Sequence, residues 1–427
     1  MEYSTIKLSN KFFKRLQSQE GAALLIMFLI LFMVSAAVVL KGLSGKNPIL
    51  NQNASTTKAL ALAKELVIAH AVTNSVTPGG LSFPDRNSDN NYDGNSDCVS
   101  SGFNETLHLL GKWPSLDEQG CGVAVPAFDK PVQDGTGETL WYAVSRHLVK
   151  TNGSYPVLNS EILNQNNGWL TVVNGQGTVL TNRAAVVIMA PGGVIQPQDR
   201  SGAAPAASQF LEGITINGTT FTNYAVETGD TGFVARPADD TTNDQLIYIT
   251  IDELMTAVEQ RVTGEFEKLI NDYRTACTQY PWPRPYIDPR TASDFDSVIS
   301  TLEGLLPTGT ALPSNWGTGC AASITVPPWL TANNWHHLSY YALASATVQS
   351  GGTCTPGPGC LTILPPPTND DKKAIVILAG KELSGQARNT FTGLTDYFED
   401  QNASSGDNTF ETKAPDSTFN DRLEVVQ

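Results

Sequence analysis

Oxygen donors recur at every second place in Asp89-Asn-Asn91-Tyr-Asp93-Gly94-Asn-Ser-Asp97. Acid or amide side chains at the first, third and fifth places, with glycine sixth for a sharp turn, begin a calcium-wrapping loop. An EF-hand closes with a bidentate glutamate at the twelfth place, where this chain has Ser100; a shorter loop would close on Asp97. Asn, Asp and Gly also form solvated turns without metal. Calcium held by Asp89, Asn91, Asp93 and Asp97, or an ordinary turn, are therefore the two readings of this segment. His147 and His336-His337 supply imidazoles, but no third ligand stands at zinc-site spacing. Nucleophile elbow, H-E-x-x-H and Walker motifs are all missing, so no enzyme is expected.

The thiols are Cys98, Cys121, Cys277, Cys320, Cys354 and Cys360, with no C-x-x-C pair among them. An even set, confined to the chain beyond its apolar N-terminal run, fits disulfides in an oxidising compartment better than zinc. Sequence leaves the connectivity open; the local choice is Cys98–Cys121, Cys277–Cys320 and Cys354–Cys360. Charge narrows the partners further. A net −15 over 427 residues argues against nucleic acid, which needs a concentrated basic surface. The 36 glycines and 25 prolines point to many turns and β-structure around a real core.

Comparing the chain with itself exposes a repeat. Trp141-Tyr-Ala-Val-Ser145 answers Tyr340-Tyr-Ala-Leu-Ala344, and Ala185-Val-Val-Ile-Met-Ala190 answers Ala374-Ile-Val-Ile-Leu-Ala379. Further on, Gln198-Asp-Arg200 answers Gln386-Ala-Arg388, Phe210-Leu-Glu212 answers Tyr397-Phe-Glu399, and Asn243-Asp answers Asn420-Asp. Recurrence in both copies favours a structural task for these polar residues, such as each Arg pairing with Glu212 or Glu399. The apolar runs are rich in β-branched residues and bounded by turn signals, so they read as strands. Between the copies, 252–277 carries a helical stripe and is stopped by Tyr280-Pro-Trp-Pro-Arg-Pro285.

Residues 22–40 hold 19 positions without a charge, preceded by Lys7, Lys11, Lys14 and Arg15. At a rise of about 1.5 Å per residue, a helix of that length just crosses a hydrocarbon core. The basic side would stay cytoplasmic. Residues 56–72 continue with helical spacing, and a bend is expected near Pro48.

The junction Lys14-Arg-Leu-Gln-Ser-Gln-Glu20-Gly21, followed at once by Ala22-Ala-Leu-Leu25, resembles the leader of type IV prepilins and type II secretion pseudopilins. The resemblance implies cleavage by prepilin peptidase between Gly21 and Ala22, leaving the apolar run at the mature N-terminus. Most members have Glu at the fifth mature position; this chain has Ile26. Minor subunits of the K type, which cap the tip and carry large heads, share that lack.

These observations predict an α+β fold: a long N-terminal transmembrane helix, then two repeated antiparallel-sheet units with a helical connector. The expected divisions are a leader (1–21), an N-terminal helix (22–75), a first β-rich unit (76–251), a connector (252–335) and a second β-rich unit (336–427). The function implied by the resemblance is a minor pilin or pseudopilin that primes or caps a type IV pilus or type II secretion filament. Its partners would be other pilins, prepilin peptidase and the bacterial inner membrane, crossed once with the body in the periplasm or on a filament. An anchored extracytoplasmic adhesion protein that never enters a filament is the alternative.

Overall fold

The computed structural model describes residues 48–87, 90–98, 108–119, 127–128, 130–150, 154–225, 232–239, 241–287, 301–306, 319–357, 359–365 and 369–426. Two long helices organise it, α1 (Pro48–Thr73) and α2 (Ile251–Cys277). Pro48 opens α1, at the position where its missing N–H costs no bond. Thr56, Ala59, Leu60, Ala63, Val67 and Ala71 are buried. Their spacing of three and four makes one inward stripe, and the small alanines let neighbouring elements approach closely. In α2, Thr250 caps the N-terminus by accepting from the Glu253 amide, with Asp252 and Glu253 favourably placed in the first turn. Its stripe of Leu254, Val258, Val262, Phe266, Ile270 and Tyr273 is fully buried or nearly so. The helices lie against each other: Arg261 of α2 donates to the Val72 and Asn74 carbonyls, which the end of α1 leaves open.

Each helix covers a sheet. The first sheet contains β1 (Leu109–Lys112), β2 (Trp141–Val144), β3 (Leu170–Asn174), β4 (Val179–Ala190), β5 (Phe233–Ala235) and β6 (Gln245–Thr250). The second contains β7 (Glu303–Gly304), β8 (Ser339–Leu343), β9 (Ala374–Leu378) and β10 (Arg422–Val426), in that order. One apolar core runs through the helix stripes and both sheets, while a second cluster lies on the first sheet's other face, around Trp141, Met189, Phe210 and Phe233.

Strand pairing fixes the correspondence of the two copies residue by residue. Trp141 lies opposite Met189 as Tyr340 lies opposite Ile377, and Gln245 opposite Ala190 as Arg422 lies opposite Leu378. The counterpart of Ala374 is thus Val186, one residue away from the match that sequence similarity proposes. In a strand such a slip exchanges the two faces, so the pairing is decisive.

The repeat also reaches further back than its sequence signal. Asp85 pairs through both backbone groups with Lys112, and Arg284 does the same with Leu305. Beside each crossing stands a glycine. A Cβ at Gly111 would come within 2.2 Å of the Asp85 carbonyl oxygen, and one at Gly304 within 1.6 Å of that of Arg284. Each copy therefore runs helix, extended segment, crossing strand and three-stranded core, over 48–250 and 251–426.

The expected fold is corrected accordingly. No helix among the described residues is long and apolar enough to cross a membrane. The helix α1 carries Lys58, Lys64 and Glu65, and spends its apolar stripe on the protein core. Residues 22–40, to which the transmembrane helix was assigned, lie outside the described residues. Nor is 252–277 a connector, because α2 is the opening helix of the second copy. The sheets are not wholly antiparallel either: β3 pairs with β5 in parallel, as does 361–364 with 409–411.

Candidate functional site

The polar residues that recur in both copies come together as a buried clasp beneath the last strand. In the first copy, Glu212 accepts from the Gln198 amide at 2.5 Å and from the backbone N–H groups of Asn243 (2.9 Å) and Asp244 (3.1 Å). The Glu212 amide in turn donates to Asp244 at 2.7 Å, and Asn223 adds a second donor to that carboxyl at 3.1 Å. In the second copy, Glu399 accepts from Gln386 (2.7 Å), Asn420 (2.9 Å) and Asp421 (3.2 Å). Asp421 accepts from the Glu399 amide at 3.0 Å and from Asn402 at 3.1 Å. Asn243 and Asn420 each donate to a carbonyl at the end of the central strand, Gly193 and Lys381 respectively.

The Arg–Glu pairing expected here does not form. Gln198 and Gln386 hold these glutamates, while the arginines bond mainly to backbone carbonyls, Arg200 also pairing with Glu138 at 3.2 Å. Arg200 donates to the Gln209 and Phe210 carbonyls and stacks over Phe210 at 4.9 Å. Arg388 donates to those of Asp396 and Tyr397 and stacks over Tyr397 at 5.0 Å. Burial, reinforced by the neighbouring glutamate, pushes the Asp244 and Asp421 carboxyls well above the usual carboxylate range. Such an arrangement locks a strand end. Sequence comparison found the Gln, Arg, Glu and Asp members; Asn223 and Asn402 lie in loops of different length, where no alignment joins them.

The calcium-like loop is described in part, with Asp89 and Ser100 outside the described residues. Both Asp93 oxygens accept from Asn95, at 2.8 Å from its backbone N–H and 2.6 Å from its side chain. Asp97 instead accepts from the Arg86 amide at 2.7 Å, and Asp85 from that of Gly94 at 2.8 Å. Burial and the nearby Asp97 and Asp93 raise Asp85 to about 7, although the Gly94 bond opposes this. Among the described residues, no three His, Cys, Asp or Glu side chains gather to hold a metal. His336 stacks on His337 at 4.1 Å, and burial together with His337 lowers it to about 3.

Two of the expected disulfides form: Cys277–Cys320, with Cα atoms 5.1 Å apart, and Cys354–Cys360, at 5.2 Å. Cys98 is also disulfide-bonded, while Cys121, Gly21 and Ala22 lie outside the described residues. No family model, curated protein or solved structure matches the chain.

Proposed function

We propose that this chain is a minor, prepilin-like assembly subunit that primes or caps a type IV pilus or type II secretion filament, with its two-copy head on the extracytoplasmic side. The observation that carries this reading is the junction Glu20-Gly21-Ala22, where a basic leader abuts an uncharged run with no polar spacer. The fold supports it in two ways. First, α1 lies just beyond that run in the chain and is bound to the head along its buried stripe. Second, the disulfides suit an oxidising compartment.

Ile26 accounts for the few-copy role. In an apolar filament core a neighbour's N-terminal ammonium needs an acceptor, and isoleucine supplies none. Mass spectrometry after co-expression with prepilin peptidase should find Ala22 as the first residue. An intact leader in the presence of active peptidase would return the chain to the anchored adhesion protein. Immunogold labelling should then place it at one filament end; even labelling along the shaft would defeat the capping role.

A further inference from the structure

The second copy carries a cavity of about 840 Å³ that includes Tyr286, Glu303, Tyr340, Phe391, Leu394 and Asn408 in its lining. Strand pairing identifies the first-copy counterparts of Glu303 and Tyr340 as Leu110 and Trp141. There both places are apolar and packed by rings, with Trp141 on Phe210 at 5.3 Å and on Tyr92 at 5.6 Å. A sheet of this design therefore needs no acid at that position. In the second copy a carboxylate and a phenol replace the apolar pair; Tyr340 is buried beneath the cavity and Glu303 is partly exposed at its wall.

The remaining geometry defines what would enter. The Tyr340 hydroxyl donates to Glu303 Oε2 at 2.9 Å, fixing the carboxylate at the wall. Its other oxygen, Oε1, faces Gly406, 3.9 Å from where a Cβ on that glycine would stand. Among the described residues Glu303 is the one charged member of the lining, and Asp407 lies close enough to act on Tyr340. Tyr286 lies 5.9 Å from Tyr340 and 5.7 Å from Phe391, ring centre to ring centre, giving an aromatic wall beside the acid. Aromatic faces carry negative potential, and an ionised carboxylate only accepts hydrogen bonds. Ring wall and carboxylate together select a positively charged donor over a neutral or anionic ligand.

We infer that this cavity is a binding site for an organic cation, an alkylammonium or alkylguanidinium group, borne either by a small amine or by a lysine or arginine side chain of a partner. The inference does not depend on the filament reading. Calorimetry on the full chain at low salt, with butylammonium, agmatine and a single-lysine pentapeptide, tests it against neutral N-acetylnorleucinamide. Saturable binding of the cations is expected, weakening as salt rises. Glu303→Leu, which installs the first copy's residue, should lower affinity by at least about tenfold and, by removing the acceptor of the Tyr340 hydroxyl, should also lower the unfolding temperature modestly. Should that variant fail to fold, Glu303→Gln keeps the shape and should lose affinity in the same direction. Tighter binding of the peptide than of butylammonium would identify a protein side chain as the source; equal binding would identify a free amine. The proposal is overturned if neither cation saturates by tens of millimolar, if the neutral amide binds equally well, or if both Glu303 variants bind as the parent does.

Discussion

The two copies share their clasp and their three-stranded core and differ in what is built onto that core. The first is elaborated with strands: β4 has 12 residues, and its outer half carries β3, which continues to β5. The second has a central strand of five residues and carries two disulfides, Cys277–Cys320 tying the end of α2 to the 3-10 turn at 319–321 and Cys354–Cys360 closing a short loop, where the first copy holds the bonded Cys98. A small sheet offers little apolar area, and covalent closure offsets that deficit. What both copies retain is the Gln–Glu–Asp–Asn set, because a strand end arriving under a buried loop presents backbone donors that water cannot reach. Packing can be replaced by disulfides; those donors still need acceptors.

The comparison breaks most directly at the hub glutamates. Glu212→Ala and Glu399→Ala should each cost about 2–3 kcal/mol in urea unfolding, since each strips three largely shielded donors of their acceptor. Similar losses would establish equal roles, whereas a cheap Glu212→Ala beside a costly Glu399→Ala would end the equivalence. Next come the staples. Loop entropy gives about 4 kcal/mol for Cys277–Cys320, separated by 43 positions, and about 2 kcal/mol for Cys354–Cys360, separated by 6. Paired Cys→Ser variants should follow that order, with hydrogen exchange rising in the second copy and little changed in the first.

A subtler test is pH. Asp244 and Asp421 have folded-state pKa values raised above those of the unfolded chain. Their stabilising contribution is therefore complete below the ordinary carboxyl range, near about 4, and is lost as pH rises through the folded value. Stability measured between acid and mildly alkaline pH should fall on the alkaline side in wild type. Asp244→Asn and Asp421→Asn, which mimic the protonated form, should each flatten part of that slope; an unchanged slope in the double variant would remove the clasp as its source. The smallest effect belongs to the link between the copies. Lys64 meets Glu253 at 2.8 Å while both remain partly exposed, so Lys64→Met should cost only about 0.5 kcal/mol by thermal unfolding.

Sequence by itself determined the local choices: strands at the β-branched runs, a helix ending at Cys277, and polar residues kept in pairs across the repeat. Those follow from periodicity, turn chemistry and side-chain type, which neighbouring residues express without the rest of the chain. Tertiary structure alone decided the register of the central strands, since a one-residue shift leaves composition unchanged and moves every side chain to the other face. It also decided that α2 opens a second copy instead of joining two bodies. The signal for that was two glycines at backbone crossings and two helices with different stripes, and neither resembles its counterpart as text. The role of the arginines was equally hidden. A buried guanidinium can serve either a carboxylate or several carbonyls, and only the closure of the loop over Phe210 and Tyr397 brought the carbonyls to it.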